Sequence, residues 1–380
     1  MKDKADKVGI AVIGAGQRAR GVVRNLIRDS LGGVSVRAVF DPDREVLAQS
    51  LAAWDAPDAA ICRDHQEAIN RSDVSWVMVF SPNACHHEHI LAGFAAGKHV
   101  FAEKPLATSI EDCQEIYQAH RDSGLTFATG FVLRYAPLYR KVKEILDTGA
   151  LGRLVSIDAN ENITPGHGGY IMRNWRRFKQ QAGPHILEKC CHDLDLLNWF
   201  CAALPSRVAS FGGRNVFIPE NESLMSRYGA KTFTAWPDPH AVASPFTSDK
   251  DLMDNQVGIL EYRNGVRAMF QATMCNAIPE RRMYFSCIEG TMIAELYSGT
   301  IKYRRLGDEG TVLLNTSGGG HGGGDSYIMK ELFETMTHGT PPKCGGDEGL
   351  ESAVTAIALD QAAETGTMVD LAPIWKQLGR

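Results

Sequence analysis

Several signals that would narrow the function are missing from this sequence of 380 residues. No apolar run reaches the roughly 18 residues that a membrane-spanning helix needs. Charged residues make up 22% and the net charge is −5, so no basic excess indicates binding to nucleic acid. No internal repeat is present, and the ordinary share of apolar residues excludes a disordered chain or a coiled coil. Length alone predicts about two globular domains.

Patterns for metal sites and disulfides are missing as well. The nine cysteines form no CxxC pair and no HExxH segment exists, so we expect no metal site. An odd number of cysteines without such a framework is typical of reduced thiols in the cytosol. The charged start MKDKADK lacks the apolar stretch and the cleavage site of a secretory leader. We therefore expect a cytoplasmic protein.

What is present in the first 130 residues is a regular alternation of strand and helix patterns. Apolar runs such as VGIAVI at 8–13 are typical of strands that are buried on both faces of a sheet. The alternation predicts βαβ units and a doubly wound parallel sheet, the Rossmann type of α/β fold. The predicted strands are 8–13, 34–40, 76–80, 99–102 and 125–130, and the predicted helices are 17–29, 43–54, 86–97 and 109–123.

From about residue 151, hairpin patterns replace this alternation. Asn264-Gly265 supplies the positive φ angles that a tight turn needs. Successive hairpins predict an α+β domain with an open-faced, mostly antiparallel sheet, into which a helix at 185–200 is inserted. The uncovered sheet face within 256–306 predicts a homodimer or homotetramer. The segment 218–255 is a long loop of the kind that is usually either functional or disordered. The predicted strands are 153–161, 207–213, 256–262, 266–274, 281–289, 292–297 and 300–306, with further helices at 326–338 and 349–365.

A GxGxxA motif follows the first strand as Gly14-Ala15-Gly16-Gln17-Arg18-Ala19. The first glycine permits the turn, the second permits close approach of a pyrophosphate, and Ala19 permits tight packing of the helix on the strand. The free N–H groups at the start of the helix would face the phosphates. A dinucleotide-binding site is therefore predicted here.

Asp41 ends the second strand, where a carboxylate accepts hydrogen bonds from a ribose 2′-OH and repels a 2′-phosphate. This position favours NAD over NADP. Two alternatives stay open. Asp41 is also a candidate N-cap of the next helix, and Arg18 or Arg44 could hold a 2′-phosphate.

Glu103-Lys104-Pro105 follows the strand HVFA, at the edge where open α/β sheets bind ligands. On its own, this tripeptide is better explained as a capped strand end with a surface lysine.

Three segments together resemble the glucose–fructose oxidoreductase/inositol dehydrogenase/MocA family. They are VIGAGQRARG at 12–21, SPNACHHEHILAGFAAGKHVFAEKPLA at 81–107, and NWR with the later ExxxHDLD. The segment 130–154 is similar to that family's crossover between its two domains. The resemblance implies an NAD(P)-binding domain at 1–130, a substrate and oligomerisation domain at 131–345, and a helical segment 346–380 that returns to the first domain.

The resemblance also implies hydride transfer to or from a sugar or polyol, and a set of site residues. Lys104 would lie beside the nicotinamide and the substrate, where its ammonium can hydrogen-bond the reacting hydroxyl and help to remove its proton. The implied cofactor-binding residues are Gly14, Gly16, Gln17, Arg18, Asp41, Pro82, Asn83, His86, Glu103 and Lys104.

The family's second motif has its counterpart in AGPHILEKCCHDLD at 182–195, which departs from the family pattern at several positions. His192 and Asp195 keep their places, whereas Glu188 stands for an aspartate. Their spacing is i, i+4, i+7, so we expect the three side chains to share one helix face. His192 is the candidate general base. Glu188 is a second catalytic candidate or a side chain that only orients a neighbour.

Trp175-Arg176 lies where the family often places a substrate-contacting pair, although a structural tryptophan would explain it as well. An aromatic face suits the C–H groups of a sugar, and a guanidinium suits its hydroxyls. The stretch GGGHGGGD at 318–325 is either a flexible loop or a segment that closes over a ligand, with Asp325 as the N-cap of the next helix. The expected substrate-binding residues are Arg134, Trp175, Arg176, Asp195, His321 and Asp325.

We therefore expect an NAD-dependent dehydrogenase that acts on a small carbohydrate, a sugar or a cyclitol. The alternative is an NAD-dependent glycoside hydrolase that works by transient oxidation, elimination, addition of water and re-reduction. A non-catalytic NAD-binding sensor is a third class, and the presence of both Lys104 and His192 argues against it.

Overall fold

The structure is a computed structural model that describes residues 7–380 except Pro239, Ser317 and Gly319. Apart from Lys7, the charged start MKDKADK therefore lies outside the described residues, and so does one glycine of the GGGHGGGD stretch.

The described residues form two compact units, each completed by a segment from late in the chain. The first unit comprises the chain up to Tyr135 together with Gly323–Leu350. The second unit comprises Ala136–Gly322 together with Glu351–Arg380. None of the helices within these described residues is long and apolar enough to cross a membrane.

The first unit contains a parallel sheet of six strands. In chain order they are β1 (Val8–Ile13), β2 (Val34–Phe40), β3 (Ala60–Ile61), β4 (Trp76–Val79), β5 (His99–Ala102) and β6 (Phe127–Thr129). They pair in the order β3-β2-β1-β4-β5-β6, so the order reverses between β1 and β4. Doubly wound sheets bind ligands at such a switch point, beyond the carboxyl ends of the strands. The predicted Rossmann fold is confirmed, with the two-residue strand β3 as an addition.

The helices begin and end close to the predicted positions in the first unit. Ser109 caps α5, because its hydroxyl accepts a hydrogen bond from Asp112 N at 3.0 Å. In chain order the helices are α1 (Gln17–Asp29), α2 (Arg44–Trp54), α3 (His65–Ile69), α4 (His86–Ala95), α5 (Ile110–Ser123), α6 (Pro137–Asp147), α7 (Pro165–Ile171), α8 (Lys179–Ala182), α9 (His185–Glu188), α10 (Cys191–Cys201), α11 (Ser223–Tyr228), α12 (Gly324–His338), α13 (Gly346–Thr365) and α14 (Ala372–Gln377).

The second unit contains a mixed but mostly antiparallel sheet of nine strands. In chain order they are β7 (Leu154–Asn162), β8 (Pro205–Gly213), β9 (Asn255–Tyr262), β10 (Arg267–Thr273), β11 (Arg282–Cys287), β12 (Gly290–Glu295), β13 (Thr300–Arg305), β14 (Val312–Asn315) and β15 (Val369–Asp370). Their order is β14-β13-β12-β11-β7-β10-β9-β8-β15, and only β7 and β10 run parallel to each other. The predicted turn between β9 and β10 is present, with Gly265 at a φ of 83°.

One face of this sheet is buried and the other is exposed. Leu260 and Phe270 are fully buried within the unit, whereas Ile259 and Met269, one position away on the same strands, are exposed. The alternation follows from the two-residue period of a strand. The predicted open-faced sheet is confirmed.

The end of the chain is grouped differently from the predicted boundaries, which sent all of 346–380 back to the first domain. Residues 351–380 instead belong to the second unit. There β15 pairs with β8, and the indole N–H of Trp375 donates to Pro205 O at 2.7 Å. The fully buried Trp375 anchors this last segment, and such a contact leaves no signal in the sequence pattern.

Residues 214–254, between β8 and β9, form what we call the insertion. The sequence pattern predicts a long loop over most of this segment, residues 218–255. It contains α11, and the buried side chains Phe217, Phe233 and Phe246 pack with Ile171 of α7 into a small apolar core of their own. The insertion is therefore a folded element.

Candidate active site

The turn after β1 has the shape that a dinucleotide diphosphate requires. Gly14 has a φ of 86°, and a Cβ at this residue would lie 2.6 Å from Ser81 N, so only glycine fits. Gly16 is the N-cap of α1, and a Cβ there would meet no atom within 4 Å. Open space in front of a helix N-terminus is where phosphate oxygens bind. Gln17, the first residue of α1, is exposed at the same place.

Asp41 supports this turn. Its Oδ2 accepts a hydrogen bond from Ala15 N at 2.7 Å, and its Oδ1 accepts one from Asp43 N at 2.9 Å. The alternative that Asp41 caps α2 is wrong, because the cap is Asp43, whose Oδ1 accepts from Glu45 N and Val46 N. Each carboxylate oxygen has a second lone pair, so Asp41 retains the capacity to accept from a ribose hydroxyl.

Arg18 is held between two carboxylates. Its Nε lies 2.6 Å from Glu103 Oε1, and its Nη1 lies 2.7 Å from Asp325 Oδ1. Although burial opposes the charged form, these carboxylates raise the pKa of Arg18. Arg18 is thus already engaged in the position where it was a candidate for a 2′-phosphate.

Asp325 was expected to cap α12 and to contact the substrate. The N-cap of α12 is instead Gly323, and Asp325 lies in the first turn, where it binds Arg18. The capping prediction is therefore wrong. Because Arg18 and Asp325 are far apart in the sequence, no local pattern could have indicated this ion pair.

The remaining cofactor candidates lie on the loops after β4 and β5. Pro82 is exposed, and Asn83 is buried at the start of a 3₁₀ turn. The His86 ring is buried, with Nδ1 2.8 Å from Pro105 O and Nε2 3.0 Å from Ser81 O. Burial lowers the pKa of His86 in spite of these two carbonyls. This ring joins the two loops, which is a positioning role.

Lys104 follows β5 and is partly exposed, and its backbone N–H donates to Glu103 Oε2 at 3.2 Å.

Arg134, a predicted substrate residue, belongs to the first unit and forms an ion pair with Glu348 at 3.4 Å.

In the second unit, the predicted helix over 185–200 is two helices. α9 ends at Glu188 and α10 begins at Cys191, with Lys189 and Cys190 between them. Glu188 therefore does not continue the face of α10 that carries His192 and Asp195, and the prediction of one shared face is wrong. His192 and Asp195 are both buried.

The glycine-rich stretch brings His321 to His192. The centroids of their rings are 6.0 Å apart. His321 has a φ of 51°, the left-handed region that side chains other than glycine seldom adopt. Strained backbone of this kind is concentrated at functional sites. The structure thus supports the inclusion of His321 among the site candidates.

Arg176 is engaged on three sides. Its Nε donates to Glu188 Oε1 at 2.9 Å, and its Nη1 donates to the Tyr170 hydroxyl at 3.2 Å. The guanidinium carbon lies 4.3 Å from the centroid of the Trp175 ring, a cation–π contact. Trp175, Arg176 and Glu188 therefore meet in the second unit, and Tyr170 joins them.

Sequence reasoning missed three aromatic residues beside this group. Trp236 of the insertion contacts the His167 ring and the Tyr170 ring edge to face, with centroids 4.8 Å and 5.1 Å apart. Burial, with Lys189 nearby, lowers the pKa of His167 to about 3, so this ring is neutral. None of the three belongs to a recognisable motif, and the interpretation of 218–255 as a long loop pointed only towards Trp236.

A buried ionic cluster lies beneath these side chains and was also missed. Arg281 donates to both oxygens of Asp193, at 2.8 Å and 2.6 Å, and its Nη1 lies 3.1 Å from Glu161 Oε1. Lys189 Nζ lies 2.9 Å from the same Glu161 oxygen. Burial alone would raise the pKa of Glu161, but Arg281 and Lys189 hold it below its usual value.

Cys190, Glu161 and Asp193 place their ligand atoms within 4.8 Å of one another, a spacing that a metal ion could bridge. Both carboxylates, however, already have cationic side chains as partners. This donor set is explained by the ionic cluster.

Two family profiles match most of the chain. The profile described as the oxidoreductase family's NAD-binding Rossmann fold matches residues 8–131, and that of its C-terminal alpha/beta domain matches residues 143–371. The chain belongs to the glucose–fructose oxidoreductase/inositol dehydrogenase/MocA (Gfo/Idh/MocA) family. The resemblance in three motifs is thereby confirmed, and this Gfo/Idh/MocA protein is an NAD-binding oxidoreductase.

Individual relatives are more distant. Inositol 2-dehydrogenase of Gluconacetobacter diazotrophicus is 34% identical over 196 residues, 50% of this chain and 54% of that protein. The 2,7-anhydro-N-acetylneuraminate hydratase of Mediterraneibacter gnavus is 27% identical over 207 residues, 54% of this chain and 52% of that protein. The matched part thus spans about half the length of each relative. A solved structure of levoglucosan dehydrogenase in complex with NADH and levoglucosan shares the fold, with 17% identity and a TM-score of 0.80 over 97% of this chain and 100% of that chain.

The ionic cluster generates a stability prediction for this Gfo/Idh/MocA protein. Arg281→Met leaves two fully buried carboxylates with one cation between them, so the free energy of unfolding should fall by about 3–5 kcal/mol. Arg282→Met is the matched control, because the neighbouring Arg282 pairs with Asp158 nearer the surface and should lose only about 0–1 kcal/mol. Denaturant unfolding of both variants measures the difference, and equal losses would contradict the assigned role of Arg281.

Proposed function

We propose that this protein is an NAD-dependent dehydrogenase of a neutral sugar or cyclitol. The observation that carries the proposal is that the chain has two sets of functional side chains, one suited to the cofactor and one suited to the substrate. The first unit has a phosphate turn and the partly exposed Lys104 at the ligand-binding edge of its sheet. The second unit has His192 next to His321, and it also contains a group of aromatic and guanidinium side chains around Arg176.

The cofactor would be held by the first unit. The Gly14–Gly16 turn and the N-terminus of α1 would bind the diphosphate, and Asp41 would accept from the ribose hydroxyls. Arg18 is engaged by Glu103 and Asp325, which supports NAD over NADP. Bound NAD supplies the hydride acceptor, so that the alcohol carbon of the substrate becomes a carbonyl.

The proton of the reacting hydroxyl requires an acceptor on the protein. We assign it to His192, because imidazole is the side chain that most often acts as a general base. Lys104 would donate a hydrogen bond to the substrate oxygen and stabilise the charge that develops there.

The charges of the second unit support a neutral substrate. Arg176 pairs with Glu188, and Lys189 pairs with Glu161. An anionic sugar would have to displace one of these carboxylates from its partner. The related inositol 2-dehydrogenase and the levoglucosan dehydrogenase that shares the fold are named for neutral compounds, whereas the related hydratase is named for a sugar acid, so the proposal rests on the charges of the second unit.

The second candidate function is redox-neutral cleavage of a glycoside. It is favoured by His321 beside His192, since elimination and addition of water need two acid–base groups. The related hydratase is named for addition of water. Following absorbance at 340 nm and aglycone release together separates the candidates, because a dehydrogenase accumulates NADH and a glycosidase does not.

The first prediction from this proposal concerns cofactor choice. The enzyme should have a higher kcat/KM with NAD than with NADP, and Asp41→Asn should lower the ratio roughly tenfold or more, because the repulsion of a 2′-phosphate is lost. Asp43→Asn is the control, since asparagine caps α2 as well as aspartate does. If the unmutated enzyme had an equal or higher kcat/KM with NADP, Asp41 would not determine the choice of cofactor.

The second prediction concerns catalysis. Lys104→Ala and His192→Ala should each lower kcat by roughly 10²–10⁴-fold, the usual contribution of a positioned acid or base. Binding of NAD should persist, because the phosphates are held by the Gly14–Gly16 turn. Trp175→Ala should mainly raise KM, since a stacking surface binds ground and transition states alike.

The matched control for catalysis is His87→Ala, a partly exposed histidine of α4 that pairs with Glu115. It should leave kcat unchanged. Near-normal turnover in a folded Lys104 or His192 variant would exclude that residue from the mechanism.

The third prediction concerns assembly. Phe211 is 77% exposed and Ile259 is 57% exposed on the open face of the second sheet, and apolar patches of this kind mark interfaces. We propose a homodimer or homotetramer through this face. Light scattering at micromolar concentration should show it, and Ile259→Lys should dissociate it. A monomeric unmutated protein would refute the proposal.

A further inference from the structure

The two ends of the insertion are joined to each other. Asp254 is fully buried, and its carboxylate accepts hydrogen bonds from Asn215 N at 3.0 Å and from Val216 N and Phe217 N at 2.8 Å. One buried carboxylate thus joins the last residue of the insertion to its first residues. Charge-assisted hydrogen bonds to backbone N–H groups are among the strong ones.

The insertion also packs closely on α7. A Cβ at Gly168 would lie 2.1 Å from Met274 O, and a Cβ at Gly169 would lie 2.1 Å from Phe233 O. Only glycine allows α7 to approach the strand end and the insertion at this distance. The small core around Phe233 then holds the two elements together.

Trp236 is held in place by bonds on both sides of it. Ala235 N donates to Gly166 O at 3.1 Å, and Val242 N donates to Arg173 O at 3.0 Å. The Arg173 side chain donates to Val242 O at 2.6 Å and to Thr234 Oγ1 at 2.9 Å. The backbone around Trp236 is therefore tied to the segment that leads into Trp175-Arg176.

The Trp236 side chain remains 38% exposed although it is held in this way. Its ring contacts Tyr170, the Tyr170 hydroxyl accepts from Arg176, and Arg176 binds Glu188. An indole that is fixed and yet exposed at the end of such a row has an available surface for a ligand.

We propose that Trp236 is the stacking surface of a subsite for a second sugar ring, beyond the ring that is oxidised. The C–H face of a pyranose is apolar and stacks on an indole, while its hydroxyls point outward to water and polar groups. The substrate class is then a neutral disaccharide or larger glycoside. This inference rests on the proposed function, and the second ring would bind on the insertion.

The test compares substrates that differ by one ring. Methyl β-glucoside and cellobiose, and methyl α-glucoside and maltose, are the probes, with kcat/KM measured from NADH formation. Trp236→Ala should lower kcat/KM for the disaccharide roughly tenfold and leave the methyl glycoside within about twofold, since one aromatic stacking contact supplies that much. Trp236→Phe should retain most of the activity on the disaccharide.

Tyr228→Ala is the matched control, because Tyr228 is an exposed aromatic residue of the same insertion. It should change kcat/KM for neither substrate. The inference is overturned if Trp236→Ala lowers kcat/KM equally for both substrates, or if it lowers kcat/KM for neither. It is also overturned if kcat/KM for the disaccharides is no higher than for the methyl glycosides. Thermal melting of each variant shows that the insertion is still folded.

Titration calorimetry of the NAD-bound protein with the same sugars separates this inference from the proposed function. Disaccharide binding that is weakened by Trp236→Ala without any NADH formation would support the subsite and contradict the dehydrogenase. Turnover of the methyl glycosides with no gain from a second ring would support the dehydrogenase and contradict the subsite. Absence of both binding and turnover would count against both.

Discussion

Arg281 is the side chain on which the arrangement of the second unit depends. It is 3% exposed, and it binds two carboxylates that are fully buried, Asp193 of α10 and Glu161 of β7. Removal of one partner from such a cluster leaves an uncompensated buried charge, which costs more than the intact pairs contribute. The cluster is therefore present as a whole or not at all. Since His192 precedes Asp193 directly, the position of the candidate base follows from the same interaction.

A smaller ionic cluster has the same effect in the first unit. Arg18 joins the turn after β1 to Glu103 after β5 and to Asp325 at the start of α12. A Cβ at Gly130 would lie 2.9 Å from Glu103 Oε2, so the carboxylate is confined from the other side too. The loops at the carboxyl edge of the sheet are thus fixed relative to one another by charges that neutralise each other. The backbone N–H of Lys104 donates to one of these carboxylates, which fixes the backbone that carries the candidate catalytic group.

Periodicity in the sequence predicts the regular elements well, because burial on a sheet face or a helix face repeats at a fixed spacing. The first helix runs over residues 17–29 in both the prediction and the structure. What periodicity could not predict are interactions between residues far apart in the chain. The pair of Arg18 with Asp325 is one case. The interruption between α9 and α10 is another, because there Lys189 reaches Glu161, a partner on β7.

The residues of the candidate site fall into the same two groups, those in local motifs and those that only the fold brings together. The phosphate turn and the Glu103-Lys104-Pro105 tripeptide are local motifs, and the sequence was sufficient to find them. Trp236 could not be found in this way, because its neighbours His167 and Tyr170 lie on another segment and only the folded insertion brings the three together. Residues whose position depends on such an insertion can change without disturbing the parallel sheet or the ionic cluster.

The compensation of charge in the second unit also supports the proposal of a neutral substrate. For Arg176 to bind a sugar carboxylate, it would have to release Glu188, which lies on the buried side of their ion pair. A carboxylate left alone at that depth costs several kcal/mol, whereas a solvent-exposed ion pair contributes about 1 kcal/mol or less. A neutral ring requires no such exchange, because it needs only an apolar face and hydrogen-bonding groups. The interactions that stabilise the second unit therefore support the proposal of an uncharged carbohydrate as substrate, and we propose that the aromatic surfaces discriminate among such carbohydrates.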